Sequence, residues 1–125
     1  MILKTEKIIK EWTDYNEHMN VAYYVHVFDI AADIMLDNFN MGGESAKKDK
    51  KSTFVVEMHT HYNQEVKLGE EVETHLTYID HDKKGFIINF LCFINKKNTL
   101  LPQTKYCHYM SILVNEKLLS LVQIE

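Results

Sequence analysis

Nine consecutive residues, Trp12-Thr13-Asp14-Tyr15-Asn16-Glu17-His18-Met19-Asn20, hold a carboxylate, an imidazole and two amides, and a long apolar helical pattern starts immediately after them. An aspartate beside the start of a buried helix can deprotonate or orient water against a carbonyl, or attack the carbonyl itself. Backbone amides at the loop-to-helix junction, from Met19 through Val21 to Tyr23, could donate to the carbonyl oxygen as charge develops, and helix polarity favours that charge. Asp14 is therefore the first catalytic candidate, and a loop or helix-capping carboxylate is its other reading. Asn16 has two readings: it orients Asp14 or a water, or it closes an Asx turn. His18 either contacts the group under attack or holds the loop. Asn20 is placed to cap the helix and to donate into the site, and the two roles are compatible.

A second set of polar groups lies further along. Glu57, His59 and His61 share strand parity. Strand neighbours at i,i+2 stand roughly 6 to 7 Å apart, so three of them reach one ion only with local bending. No zinc-like spacing supports that, and no metal is expected. Lys83 and Lys84, or the lysines at 47, 48, 50 and 51, are either solvated charges or partners for substrate phosphates.

These groups must be carried by elements. A first strand is expected over Glu6 to Trp12, although its alternation is only partial. A helix is expected from Val21 to Asp37, apolar almost all round, with Asp29, Asp33 and Asp37 as one narrow polar stripe. Such a helix implies protein on most sides: a sheet wrapped around it and a partner subunit over the remainder. Asn38 to Lys51 is polar and contains Gly42-Gly43, which reads as a loop or a short irregular helix. Strands follow at Thr53–Tyr62, Glu70–Asp80, Gly85–Ile94 and Lys105–Val114, with turns at Asp82–Gly85 and Asn95–Asn98 and a short tail that could continue as strand. One α+β domain over residues 1–125 satisfies that order.

Composition limits the rest. The chain has 125 residues, 46% of them hydrophobic, with four glycines and one proline, which suits a folded domain. A formal charge of −4 gives no general attraction to nucleic acid or an anionic membrane. Cys92 and Cys107 lie in apolar runs and read as buried free thiols, with one disulfide as the alternative. The N-terminal segment is too polar for a secretory signal and no window approaches a membrane span, so a cytoplasmic protein is expected.

The segment Trp12-x-Asp-Tyr-Asn-x-His-Met-Asn20 through Tyr24, with Glu57-x-His59, Tyr62, Glu65 and Gly69-Glu70, resembles the hotdog-fold acyl-CoA thioesterases. Within them it is similar to the branch related to 4-hydroxybenzoyl-CoA thioesterase, and more closely to betainyl-CoA thioesterase-like proteins. The resemblance implies a curved antiparallel sheet of about five strands around one long central helix. It also implies hydrolysis of a short or medium acyl-CoA, with Asp14 as base or nucleophile, and His18 and Asn20 shaping the loop. It places Tyr24 on the helix wall, His59 in the cleft near the partner's motif loop, and Tyr62 as packing or pocket wall. It implies a homodimer or homotetramer with the substrate tunnel between subunits, and no cofactor beyond coenzyme A as part of the substrate. A betainyl group would favour an aromatic cage, for which Tyr15, Tyr23, Tyr24, Phe28 and Tyr62 offer material. Many relatives carry glycine at position 17, so Glu17 implies either a loop that avoids positive φ or a local departure. The main rival is a hotdog protein that binds an acyl thioester or small ligand without hydrolysis. A fatty-acid-carrying β-barrel fits one long helix and five strands poorly, and a purely structural dimerisation domain has no need of the polar cluster.

Overall fold

The computed structural model describes residues 1–83, 85–95 and 106–118, and gives the backbone alone for Lys51 and residues 106–118. In chain order the elements are β1 (Ile2–Lys7), a 3-10 turn (Lys10–Trp12), α1 (Val21–Asn38), α2 (Gly43–Asp49), β2 (Lys51–Tyr62), β3 (Glu71–His81), β4 (Gly85–Asn95) and β5 (Tyr106–Leu118). The strands form an antiparallel sheet in the order β1-β3-β4-β5-β2. The architecture is mixed α+β with two helices, the long one expected and a short one within the stretch read as a loop or a short irregular helix.

β4 shows why the sheet has a core face. Its residues alternate, and Phe86, Ile88, Phe90, Cys92 and Ile94 are buried while their neighbours are not, the period of two that a half-buried strand requires. α1 answers with Tyr24, Val27, Phe28, Ala31 and Met35 buried, one stripe at helical spacing. Phe28 stacks on Phe90 with ring centroids 5.8 Å apart. The helix is thus buried along one side in the chain, and Val21, 64% exposed, lies outside that stripe. Asn20 caps the helix as expected: its side-chain oxygen accepts from Ala22 N at 3.0 Å.

Several bounds differ from the sequence reading, those of β1 the most. β1 begins earlier and ends at Lys7, because Trp12 N donates to Ile9 O (3.1 Å) and Thr13 Oγ1 to Lys10 O (2.7 Å), winding the expected strand end into a turn. The polar stretch after α1 forms the helical turns of α2, closed at Lys50 with φ 54°. Cys92 is buried; the Cys107 side chain and Lys84 lie outside the described residues. Among the described residues no helix is long and apolar enough to cross a membrane.

Candidate active site

The Trp12–Asn20 loop folds back on itself. Thr13 bridges Met19, Asn20 N donates to Trp12 O at 2.9 Å, and Asp14 N donates to His18 O at 2.8 Å. Tyr15, Asn16 and Glu17 reverse the chain, and Glu17 N donates to Asp14 O at 3.0 Å. A three-residue reversal of this kind ends in a left-handed residue, and Glu17 takes that place at φ 60°. The loop therefore keeps the backbone that glycine would adopt freely, and a side chain there costs about 1–2 kcal/mol.

This geometry fixes Asp14. Its Oδ1 accepts from Asn16 N at 2.8 Å and from His18 N at 3.2 Å. Asp14, not Asn16, is the residue that closes the Asx turn. Among the described residues no group hydrogen-bonds the second oxygen, Oδ2, which is left to face a ligand or solvent.

A second loop, between β2 and β3, is joined to the first. Met19 N donates to Val66 O (2.7 Å) and Leu68 N to Glu17 O (2.9 Å), while His18 bridges Lys67. Gly69 N donates to Ile8 O and Ile8 N to Glu70 O, both at 2.9 Å. Gly69 makes this crossing possible with φ 82°, a backbone open to glycine at little cost. The Tyr24 hydroxyl, from the first turn of α1, accepts from Val66 N at 3.1 Å and lies 3.5 Å from Gln64 O. The loop also brings Glu65 Oε2 to 3.4 Å from His18 Nδ1. Sequence reasoning did not choose Glu65 as a site residue; its only signal was its place between Tyr62 and Gly69 in the second matching segment.

The helix start narrows the expected amide donors. Met19 N, Asn20 N, Ala22 N and Tyr23 N each have an acceptor, Tyr23 N donating to Asn20 O at 2.9 Å. Val21 N is the amide of this stretch that has none among the described residues. Trp12 covers the helix start, stacked on Tyr23 at 5.9 Å and edge-on to His26 at 5.4 Å. Beneath them burial pushes the Glu6 carboxyl above its ordinary 4.5, partly offset by Lys4 and His26. Tyr24 meets Tyr62 at 5.2 Å, rings perpendicular. The five-residue aromatic cage is not assembled in the chain: Phe28 is wholly in the core and Tyr15 is 95% exposed at the loop tip.

Register separates the other candidates from this loop. Phe90 lies opposite Met110 and Met110 opposite Thr60; Ile88, Ile112 and Met58 align likewise. Met58, Thr60 and Tyr62 therefore share the α1 face, and Glu57, His59 and His61 occupy the other. His59 Nε2 pairs there with Glu57 Oε1 at 2.7 Å. Lys83 is exposed in the β3–β4 turn, at the opposite end of the 11-residue β3 from the Val66–Glu70 loop, roughly 35 Å away at strand rise. A cavity of about 650 Å³ opens at that far end, with Phe39, Met41, Ile79, Phe86, His81 and Asp82 in its wall. A smaller one of about 310 Å³ lies between α1, α2 and β2, bounded by Asp29, Asp33, Phe54 and Met58. No residue of the Trp12–Asn20 loop lines either cavity.

Residues 9–114 match the family model of the thioesterase-like superfamily. The chain belongs to that superfamily. It is 30% identical over 87 residues to a betainyl-CoA thioesterase of Pseudomonas aeruginosa, covering 70% of this chain and 55% of the relative, so the chain spans about half the length of that relative. A Staphylococcus aureus protein solved in complex with CoA superposes with a TM-score of 0.79 at 20% identity, over 95% of this chain and 72% of that one. The DHNA-CoA thioesterase of Staphylococcus aureus gives 0.78 at 10% identity, over 94% and 74%. At these identities the likeness to solved structures concerns the fold.

Proposed function

We propose that this protein hydrolyses acyl-CoA thioesters of short or medium acyl length, with Asp14 acting as general base through Oδ2. The observation that carries the proposal is the clamp on Oδ1: two backbone N–H groups hold the carboxylate and leave its other oxygen available at the start of a helix. Asp14 takes a proton from water as the water oxygen bonds to the thioester carbon. Val21 N–H, at the positive end of α1, donates to the oxyanion that forms. The oxyanion then collapses, the C–S bond breaks, and coenzyme A leaves as a thiolate that takes up the proton, giving free acid and thiol. His18 and Asn20 hold the loop, and Met19, Tyr23, Tyr24 and Tyr62 wall the acyl group. Coenzyme A enters as part of the substrate, and the proposed setting is the cytoplasm.

The proposal extends to assembly. Residues 1–125 act as a single hotdog domain whose sheet curves around α1, and two copies pair along β2. β2 is an edge strand carrying exposed Phe54, Val55, Val56, Met58 and Tyr62, a long apolar edge that a solitary domain would have to protect. Antiparallel pairing by a two-fold axis sets the Tyr62 end of one strand beside the Lys51 end of the other. That brings the loop of one copy to the cavities and to the Lys83 turn of its partner, where phosphates of coenzyme A could be met. The same two-fold contact, repeated through another face, would give a tetramer. The Pseudomonas relative makes betainyl-CoA the first acyl group to test.

The deciding experiment is free-thiol release from a panel of acyl-CoAs, betainyl-CoA included. Asp14→Asn keeps the Oδ1 acceptor and should lower kcat by about 10²- to 10⁴-fold with the fold intact, whereas His59→Ala should leave kcat within about threefold. Label from ¹⁸O-water appearing in Asp14 after turnover would reassign it as nucleophile. Binding of the same compounds without thiol release would replace hydrolysis by the ligand-binding reading.

A further inference from the structure

We propose that Glu65 is a positioning residue for His18: its carboxylate keeps the imidazole proton on Nδ1, leaving Nε2 as the nitrogen that accepts a hydrogen bond from the attacking water. The inference rests on the reading of the Asp14 loop as a hydrolytic site and adds a residue from a different segment to it.

The two side chains face each other because their backbones are tied together. His18 is held by its N–H to Asp14 Oδ1 and its carbonyl to Asp14 N. Glu65 stands between Gln64, whose carbonyl meets the Tyr24 hydroxyl, and Val66, whose N–H donates to that hydroxyl and whose carbonyl accepts from Met19 N. His18 and Lys67 are bridged directly. Within that frame Nδ1 and Oε2 lie 3.4 Å apart, His18 part-buried and Glu65 exposed. An exposed pair of this kind adds little to stability, so its consequence is orientation. An ionised carboxylate only accepts, so the neutral ring that faces it carries its proton on Nδ1. A distance slightly beyond hydrogen-bond length is usual for such contacts before substrate closes the site.

The chemistry then has one use for each hydrogen of the water. One passes to Asp14 Oδ2, the other is held by Nε2, and both oxygen lone pairs stay free of hydrogen-bond donors, one of them to meet the thioester carbon. No proton ends on His18, so the balance of the hydrolysis is unchanged. With the proton on Nε2 instead, the ring would donate to the water and turn a lone pair away from the carbonyl. The pair works like the outer carboxylate that fixes the tautomer of a catalytic or metal-bound histidine.

The test reads the tautomer directly. Histidine labelled with ¹⁵N, in the full chain at a pH where the ring is neutral, shows by long-range ¹⁵N–¹H correlation which nitrogen of His18 is protonated, with His18→Gln supplying the assignment. The expected result is Nδ1–H in the parent protein and in Glu65→Gln, whose amide oxygen still accepts, and Nε2–H in Glu65→Ala. In thiol-release assays Glu65→Ala should lower kcat on the order of tenfold with KM within about twofold, and Glu65→Gln should recover most of it. Nε2–H in the parent protein, or a Glu65→Ala variant with unchanged tautomer or unchanged kcat, overturns the proposal. The tautomer is read without substrate, so a parent protein that turns over no acyl-CoA defeats the hydrolytic reading while the spectrum still decides whether Glu65 sets the proton.

Discussion

The two ends of the sheet are built on different principles. At the Tyr62 end, two loops and a helix start are cross-linked by backbone hydrogen bonds, and the polar side chains sit on that lattice outside the two cavities. At the Lys51 end, α2 and the β3–β4 turn stand apart and leave the two cavities. One end supplies precision and the other supplies volume. The proposed hydrolysis of an acyl-CoA needs both, which a single chain holds a strand length apart; that separation is the reason for proposing two-fold pairing along β2.

Three substitutions probe that contrast, beginning with the largest expected effect. Tyr24→Phe deletes the acceptor of the buried Val66 N–H and should cost about 1–3 kcal/mol in urea unfolding. Amide exchange should quicken around Gln64 to Leu68 and not in α2; equal quickening in α2 would show that the ends are not independent. Glu17→Gly removes a side chain from a left-handed position and should raise stability by about 1 kcal/mol. An unchanged or lower unfolding midpoint would mean that Glu17 makes a compensating contact.

The smallest effect belongs to the cavity side. Asp33, exposed on α1, is pushed above its ordinary 3.8 by partial loss of hydration and then by the neighbouring charges of Asp29 and Asp37. A raised acid favours the folded state while protonated, so this contribution is present below 3.8 and is lost as pH rises through the folded value. Asp33→Asn should therefore melt higher than the parent at neutral pH, and the difference should vanish as pH falls below 3.8. A difference that persists in acid would point to packing and not to charge.

Much of the frame was legible in advance. The α1 start at Val21, the Asn20 cap and a strand over Gly85–Ile94 follow from local pattern and cap chemistry, and the structure reproduces them; which parity of that apolar run is buried came only with the fold. β1 was misplaced because Ile8 and Ile9 look alike in sequence, yet Ile8 is in the core and Ile9 is 44% exposed. α2 was left open because seven residues with two glycines at the approach carry no apolar stripe. The site was legible as a set of residue types at Asp14, His18 and Asn20. His59, inside β2, and Glu65, in the loop after it, carry no local signal of which one meets the Trp12–Asn20 loop; only register and loop crossing distinguish them.

The sequence by itself determined which groups are available and which segments coil or extend, since those depend on neighbours a few residues apart. The tertiary structure decided which oxygen of Asp14 is occupied, which amide at the helix start lacks an acceptor among the described residues, which face of the sheet His59 takes, and that Glu65 meets His18. Each of those depends on a contact between segments brought together by packing of α1 against the sheet, and no local pattern encodes the distance across such a contact.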